Sequence, residues 1–318
     1  MAVTSRASRT PISAPSLAGT LGDERDAFAR YLARQRSPKT ADTYLSSIDQ
    51  FHGFLADMGM PVDAEFITRE HIESWIEHLQ ARVSPATVSV RYRALQSFFS
   101  WCVKDDRLPS SPMARIEPPR VPEKLVPVLQ PEQIAALLAT CRNRNNFDDL
   151  RDRAILSLLL DTGMRRAELT GLKVSDVDVR NGVAYVTGKG NRPREVPFAM
   201  AAQDALDDYL HRSRGRKTHK HAGLPDLWIG QKGALHPNGI LQLVRRRARQ
   251  AGLPRTFVHQ MRHTATHLML ANGAQEGDVM QNLGWKSASM LRRYGAIAAG
   301  ARARKSHAAH SPLDHLRR

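Results

Sequence analysis
Cysteine is scarce in this chain, with two residues, Cys102 and Cys141, in 318. Two cysteines make no disulfide framework and offer no metal-ligand spacing. No run of 18 apolar residues occurs, so no segment reads as a membrane-spanning helix. The N-terminal stretch MAVTSRASRTPISAPSLAGT lacks the long apolar core of a secretory signal, and residues 1–20 read as a disordered Ser/Ala/Thr/Pro tail. Acidic residues are in the minority, 31 Asp and Glu against 47 Lys and Arg. These shortages exclude a secreted disulfide scaffold and a helical membrane protein. They lead us to expect a cytoplasmic protein.

The excess of positive charge is +16, which favours a polyanionic partner, nucleic acid first. Residues 21–110 hold 11 basic and 13 acidic side chains, whereas residues 111–318 hold 34 and 18. The C-terminal part therefore carries nearly all of the excess. An apolar fraction of 42% is enough for ordinary cores, and the length favours two domains.

Two segments share a helix-start signal. Ser37-Pro38 and Ser84-Pro85 each place Ser at an N-cap and Pro at the first helical position. Periodic apolar residues follow both: Tyr44, Ile48, Phe51 and Leu55, then Val88, Tyr92, Leu95 and Phe98. Thr68 to Ile72 opens a third helix, with His71 the weak member of a capping box. A helix around 22–35 completes four, so residues 21–108 read as an all-helical domain. Prolines 109, 112, 118, 119, 122 and 127 then forbid a helix and predict a stiff extended linker over 109–130.

A second domain is expected over 131–295, mainly helical with one small antiparallel sheet. Its apolar helix 150–162 stops at Gly163. Strands at 183–187 and 194–198 flank the turn Gly188-Lys189-Gly190-Asn191. Further helices are expected over 201–212, 238–251, 258–271, 275–283 and 288–294. Residues 296–318 form a tail rich in Ala, Arg and His.

Six side chains in this half carry chemistry, yet each alone reads as ordinary. Arg165, three residues before Glu168, is either a surface ion pair or a site arginine with a buttress. Lys189 is either an exposed turn lysine or a reach towards phosphate. His259 and Arg262 share a helix face. His259, His263 and His267 form a stripe at i, i+4 and i+8 that invites a zinc reading, but no Cys or carboxylate stands nearby in sequence, so no metal is expected. Trp285 reads as core, and Tyr294 as a half-buried phenol. The run Arg245 to Arg249 is either a DNA contact or a solvated face.

Order and spacing change the balance. LLLDTGMRRAELTGL, VTGKGNRPREVPF, VHQMRHTATHL and LGWKSASMLRRYG together resemble the tyrosine recombinase, or phage integrase, family. RSPKTADTYLSSIDQFHGFL and SPATVSVRYRALQSFFSWC resemble that family's helical core-binding domain. Trp285 stands where histidine is more common. The resemblance implies a two-domain architecture of the Xer kind and a site-specific DNA recombinase with no metal, cofactor or ATP. It implies Tyr294 as nucleophile, Arg165 and Arg262 on the phosphate, and Lys189 as general acid. It further implies His259 as proton carrier, Trp285 closing the site, and Glu168 in support. The expected partner is double-stranded DNA bearing a specific site, bound by four protomers, with a second recombinase as an open alternative and no membrane. The tail after 295 would dock on a neighbouring protomer. Lys39, Thr40, Arg91 and Arg93 are expected phosphate contacts in the first domain. No arm-binding domain is expected before residue 21. A type IB topoisomerase-like enzyme and a catalytically vestigial DNA-binding regulator are the competing readings.

Overall fold
The computed structural model describes residues 19–122, 126–188, 192–214, 220–254 and 256–285, together with 287, 291, 303–304, 306–308, 311 and 313. The chain divides into two compact units, with the boundary after residue 123.

The first unit is four helices: α1 (Leu21–Gln35), α2 (Pro38–Asp57), α3 (Arg69–Gln80) and α4 (Pro85–Lys104). Ser37 and Ser84 cap α2 and α4, accepting from the Thr40 and Thr87 amides, with proline at the first turn of each. The His71 ring completes the cap of α3, accepting from the Thr68 amide at 3.1 Å. The core is aromatic. Phe28 packs against Phe98 and Trp101, and Phe51 against Trp75, with ring centroids 5.1 to 5.4 Å apart. Each such side chain contributes about 1.5–3 kcal/mol when buried.

No helix forms over the described proline-rich residues 109–122 and 126–130, as expected. The first part of the stretch expected as a stiff extended linker is packed on the first unit. Leu108 and Met113 are buried, and the Tyr92 hydroxyl donates to the Ile116 carbonyl at 2.6 Å. Leu108 and Met113 belong to the first unit's core, with Ile116 packed against it.

The second unit contains α5 (Pro131–Ala139), α6 (Phe147–Thr162), α7 (Arg166–Gly171), β1 (Val177–Asp178), β2 (Val183–Gly188), β3 (Arg192–Pro197), α8 (Met200–Tyr209), β4 (Ile229–Gly230), β5 (Gly233–Ala234), α9 (Pro237–Gln250), α10 (Val258–Ala271) and α11 (Glu276–Leu283). The order β1-β2-β3 is antiparallel throughout, and β4 pairs with β5. On one side of the hairpin Ala184 and Val186 of β2 pair with Val196 and Arg194 of β3. Phe198 continues that side into the core. The helix expected over 201–212 instead widens into a π-helical turn at Leu210–Arg214, where the buried Arg214 donates to the carbonyls of Asp226 and Leu227.

Helix α10 runs through the core, with Gln260 to Thr266 buried without a break. Its hydroxyls are satisfied locally, Thr264 on the Gln260 carbonyl and Thr266 on that of Arg262. The short helix α7 is pinned from behind, since Trp228 Nε1 donates to the Leu169 carbonyl at 2.8 Å.

Candidate active site
Helix ends build the site. Helix α6 stops at Gly163 and α11 stops at Gly284, both left-handed at φ 61° and 63°. Only glycine takes that conformation without cost to a Cβ. At Gly163 space demands it as well, because a Cβ would stand 2.8 Å from Leu283 Cδ2 and 3.2 Å from the Ala265 Cβ. Arg262, from the first turns of α10, reaches both ends. It donates to the Gly163 carbonyl at 2.7 Å and to the Leu283 carbonyl at 2.7 Å. Those carbonyls have no partner within their own helices, and each helix C-terminus carries partial negative charge. The guanidinium is thus held while only 3% exposed, by neutral acceptors that leave its charge intact.

Arg165 is the N-cap of α7, in extended conformation, so the pair with Glu168 is a capping arrangement and not two residues on one helix face. Glu168 accepts from the Arg165 amide at 2.8 Å and from its guanidinium at 2.9 Å. Arg194 of β3 adds a bidentate contact, 2.9 Å to each carboxylate oxygen, and its Nε donates to the Asn282 carbonyl at 3.1 Å. Burial pushes the Glu168 pKa up. Hydrogen bonds from Arg194 and from the Arg165 backbone and side chain outweigh it, and the net shift is downward.

Arg165, His259, Arg262 and Trp285 line one cleft of about 440 Å³, with Met164 and Phe257 on its walls. The Arg262 guanidinium lies 5.1 Å from the Trp285 ring centre, within cation–π range. Trp285 is also core, as its type suggests, packed with Leu270, Val279, Leu283 and Leu291. His259 is exposed at the cleft and meets the His263 ring edge-on at 4.7 Å. Partial burial of its ring lowers the His259 pKa, and the charges of Arg262 and Arg165 push the same way. Burial and the two arginines therefore favour the neutral imidazole, the form that can accept a proton. Two cations beside a neutral base suit an anionic phosphodiester.

Residues 127–300 match the phage integrase family, and residues 25–107 match the N-terminal SAM-like domain of phage integrases. The first match alone covers more than half of the chain. The chain belongs to the phage integrase family. A curated relative, tyrosine recombinase XerC of Mycobacterium tuberculosis, is 33% identical over 297 residues, covering 89% of this chain and 96% of that protein. The fold matches the XerH site-specific recombinase bound to a palindromic difH substrate, at TM-score 0.70 and 22% identity, over 91% of this chain and 84% of that one. It also matches a lambda integrase tetramer bound to a Holliday junction, at TM-score 0.68 and 18% identity, over 87% and 77% of the two chains.

Within this chain the structure brings together four of the six expected side chains, Arg165, His259, Arg262 and Trp285, with Glu168 behind them. Lys189 and Tyr294 lie outside the described residues. Lys39, Thr40, Arg91 and Arg93 belong to the first unit and are not part of this cleft. Lys39 and Arg93 are exposed. The Thr40 hydroxyl is 2.9 Å from that of the Ser37 cap, and Arg93 Nε donates to the Ser89 carbonyl. The run Arg245 to Arg249 does not share one environment. Arg247 is buried and bonds to Asp152, whereas Arg245, Arg246 and Arg249 are exposed, Arg246 with a bond to the same carboxylate. Among the described residues no group of three or more His, Cys, Asp or Glu could hold a metal ion, and no helix is long and apolar enough to cross a membrane. Arg194 is the residue that sequence reasoning passed over. The signal was its parity with the apolar Val196 and Phe198, which places an arginine on the inward side of a strand.

Proposed function
We propose that this member of the family is a site-specific DNA recombinase that cuts and rejoins strands through Tyr294. The observation that carries the reading is the convergence of Arg165, His259, Arg262 and Trp285 on one cleft. A phosphodiester needs a nucleophile, relief of the charge that develops on phosphorus oxygens, and a proton for the leaving oxygen. Arg165 and Arg262 bind the non-bridging oxygens in forked fashion. The Tyr294 phenol loses its proton towards neutral His259 as its oxygen attacks phosphorus. The bond from phosphorus to the 5′ oxygen breaks, and Lys189 supplies that oxygen's proton. The products are a 3′-phosphotyrosyl link and a free 5′-hydroxyl. Attack by a 5′-hydroxyl reverses the step, so rejoining needs no ATP. Trp285 closes one wall against water.

Arg245 and Arg249 extend along α9 from Leu241 of the cleft wall at helical spacing, and we read them as phosphate contacts beside the cleft. Lys39, Thr40, Arg91 and Arg93 serve the same end in the first unit. Four protomers would act on two DNA sites, with the tail after residue 295 docking on a neighbour.

A suicide DNA substrate bearing a nick tests the reading. A covalent protein–DNA adduct is expected with the intact chain and absent from Tyr294→Phe and Arg262→Ala. Persistence of the adduct in Tyr294→Phe would remove the nucleophile assignment. Strand exchange between two cognate sites separates recombination from relaxation of supercoils alone, and loss of cleavage in EDTA would contradict a metal-free step.

A further inference from the structure
We propose that Arg194 is a positioning residue for strand cleavage, setting Arg165 through Glu168 and Trp285 through the end of α11. The inference deepens the recombinase reading and rests on it.

Arg194 stands on the inward side of β3, opposite Val186 and in line with Val196. A charge placed there is costly unless its donors are paired. Its fork is used on two sides at once. The two terminal nitrogens take both oxygens of Glu168, and Nε takes the Asn282 carbonyl. Each acceptor leads to the cleft. Glu168 Oε1 is shared with the Arg165 guanidinium, and Oε2 with the Arg165 amide. Asn282 precedes Leu283, whose carbonyl is held by Arg262. Two arginines therefore grip successive carbonyls at the end of α11. The Arg194 guanidinium also packs on Gly284, where a Cβ would meet three of its atoms at 3.2 Å. Trp285 is the next residue, and its amide donates back to the Met280 carbonyl, which completes the turn.

The consequence for Arg165 follows from the charge count. The Glu168 side chain is 4% exposed and accepts from two guanidinium groups. With Arg194 removed, Arg165 becomes the remaining cation on a buried carboxylate. It is then drawn towards Glu168 and away from the cleft. A structural ion pair would stabilise the unit equally without involving the carboxylate that holds a cleft arginine. A displacement of about 1 Å at a reacting centre costs on the order of 100-fold in rate.

The full-length protein is assayed on two suicide substrates, one with a normal scissile phosphate and one with a methylphosphonate, which lacks the non-bridging negative charge. Arg194→Ala is expected to lower single-turnover cleavage of the phosphate about 100-fold while the Kd for DNA changes less than about threefold. Arg194→Lys, which keeps the charge but not the fork, falls between, and it carries the test if the alanine variant does not fold. On the methylphosphonate the need for Arg165 is relieved, so Arg165→Ala and Arg194→Ala both recover to within roughly tenfold of the intact protein. The double variant Glu168→Gln with Arg194→Gln is expected to be no slower than the worse single one. Cleavage near the normal rate in Arg194→Ala overturns the inference. So does an equal defect on both substrates, the mark of a merely structural role. Relief in Arg165→Ala but not in Arg194→Ala removes the Arg194 inference alone. No relief in Arg165→Ala removes the role given to Arg165, and this inference with it.

Discussion

Gly163→Ala offers a quantitative test of how the cleft is held together. The substitution places a Cβ on a residue at φ 61°, which costs an L-residue roughly 1–2 kcal/mol. It also drives that carbon to 2.8 Å from Leu283 Cδ2 and 3.2 Å from the Ala265 Cβ. The Leu283 contact sits in a packed cluster with Trp285 and Leu291, where there is little room to yield. Overpacking of this kind adds about 1–3 kcal/mol. The expected loss is therefore about 2–5 kcal/mol. Gly252→Ala calibrates the first part. Gly252 has φ 67° in the same unit, and a Cβ there meets nothing within 4 Å, so it reports backbone strain alone.

Calorimetry of the full-length chain reads both variants from the second unit's transition. A loss of 1 kcal/mol lowers Tm by roughly 2–4 °C for a unit of this size. Gly163→Ala is expected to fall further than Gly252→Ala by the overpacking contribution. It should also cleave a suicide substrate more slowly, because the Gly163 carbonyl and the Leu283 backbone both hold Arg262. Gly252→Ala should keep its cleavage rate. Equal drops in Tm, or an unchanged cleavage rate in Gly163→Ala, would refute the reasoning.

Three further outcomes are expected. By NMR, the His259 ring in the free protein is expected to titrate below the ordinary value of about 6.5, and a bound DNA phosphate, by offsetting Arg262 and Arg165, to move it back up; titration at or above 6.5 without DNA would contradict the burial of the ring and the two charges beside it. Glu168 has a folded pKa below its unfolded one, so its contribution to stability is full above about pH 4.3 and is lost as pH falls through the lowered value. Glu168→Gln should therefore flatten the acid limb of the second unit's stability curve, and an unchanged limb would show that the carboxylate is not held as described. Replacing Arg245 and Arg249 together by Ala should reduce the slope of log affinity against log salt by about 2, whereas Arg246→Ala, tied to Asp152, should leave it unchanged; the reverse pattern would redraw the DNA path.

What could be read in the sequence was what neighbours in sequence decide. Ser37-Pro38 and Ser84-Pro85 start helices because an N-cap and its first turn lie within four residues. Gly163 ends α6 for the same local reason, and the hairpin follows from alternation around a glycine turn. The two-residue strands β1, β4 and β5 are too short to show a period. The widened turn at Leu210–Arg214 accompanies contacts from Arg214 to carbonyls twelve and thirteen residues on, which no local pattern announces. At the site, order and spacing identified the cleft residues, but their means of support was hidden. Glu168 meets Arg194 across 26 residues, and Arg194 meets Asn282 across 88. Parity on β3 could have marked Arg194 as inward, though not what it held.

The second unit contains two clusters of arginine, and comparing them shows why sequence alone confuses them. Around Asp152 stand Arg151, Arg246 and Arg247, and with Asp148 and Asp149 the cluster holds three cations and three anions. Such a cluster has no charge left to offer and holds α6 to α9. Around the cleft stand Arg165, Arg166, Arg194 and Arg262, with Glu168 the carboxylate bonded to Arg165 and Arg194. Here helix-end carbonyls hold Arg262 and the Nε of Arg194, and a single carboxylate serves Arg165 and the rest of Arg194, so the arginines are fixed with a surplus of positive charge. The surplus is what an incoming phosphate needs, already oriented before it arrives. Arginine count says little about the two clusters, three against four. The choice of acceptor distinguishes them, and a glycine-ended helix pointing its last carbonyls at an arginine is the arrangement that keeps the charge available for chemistry.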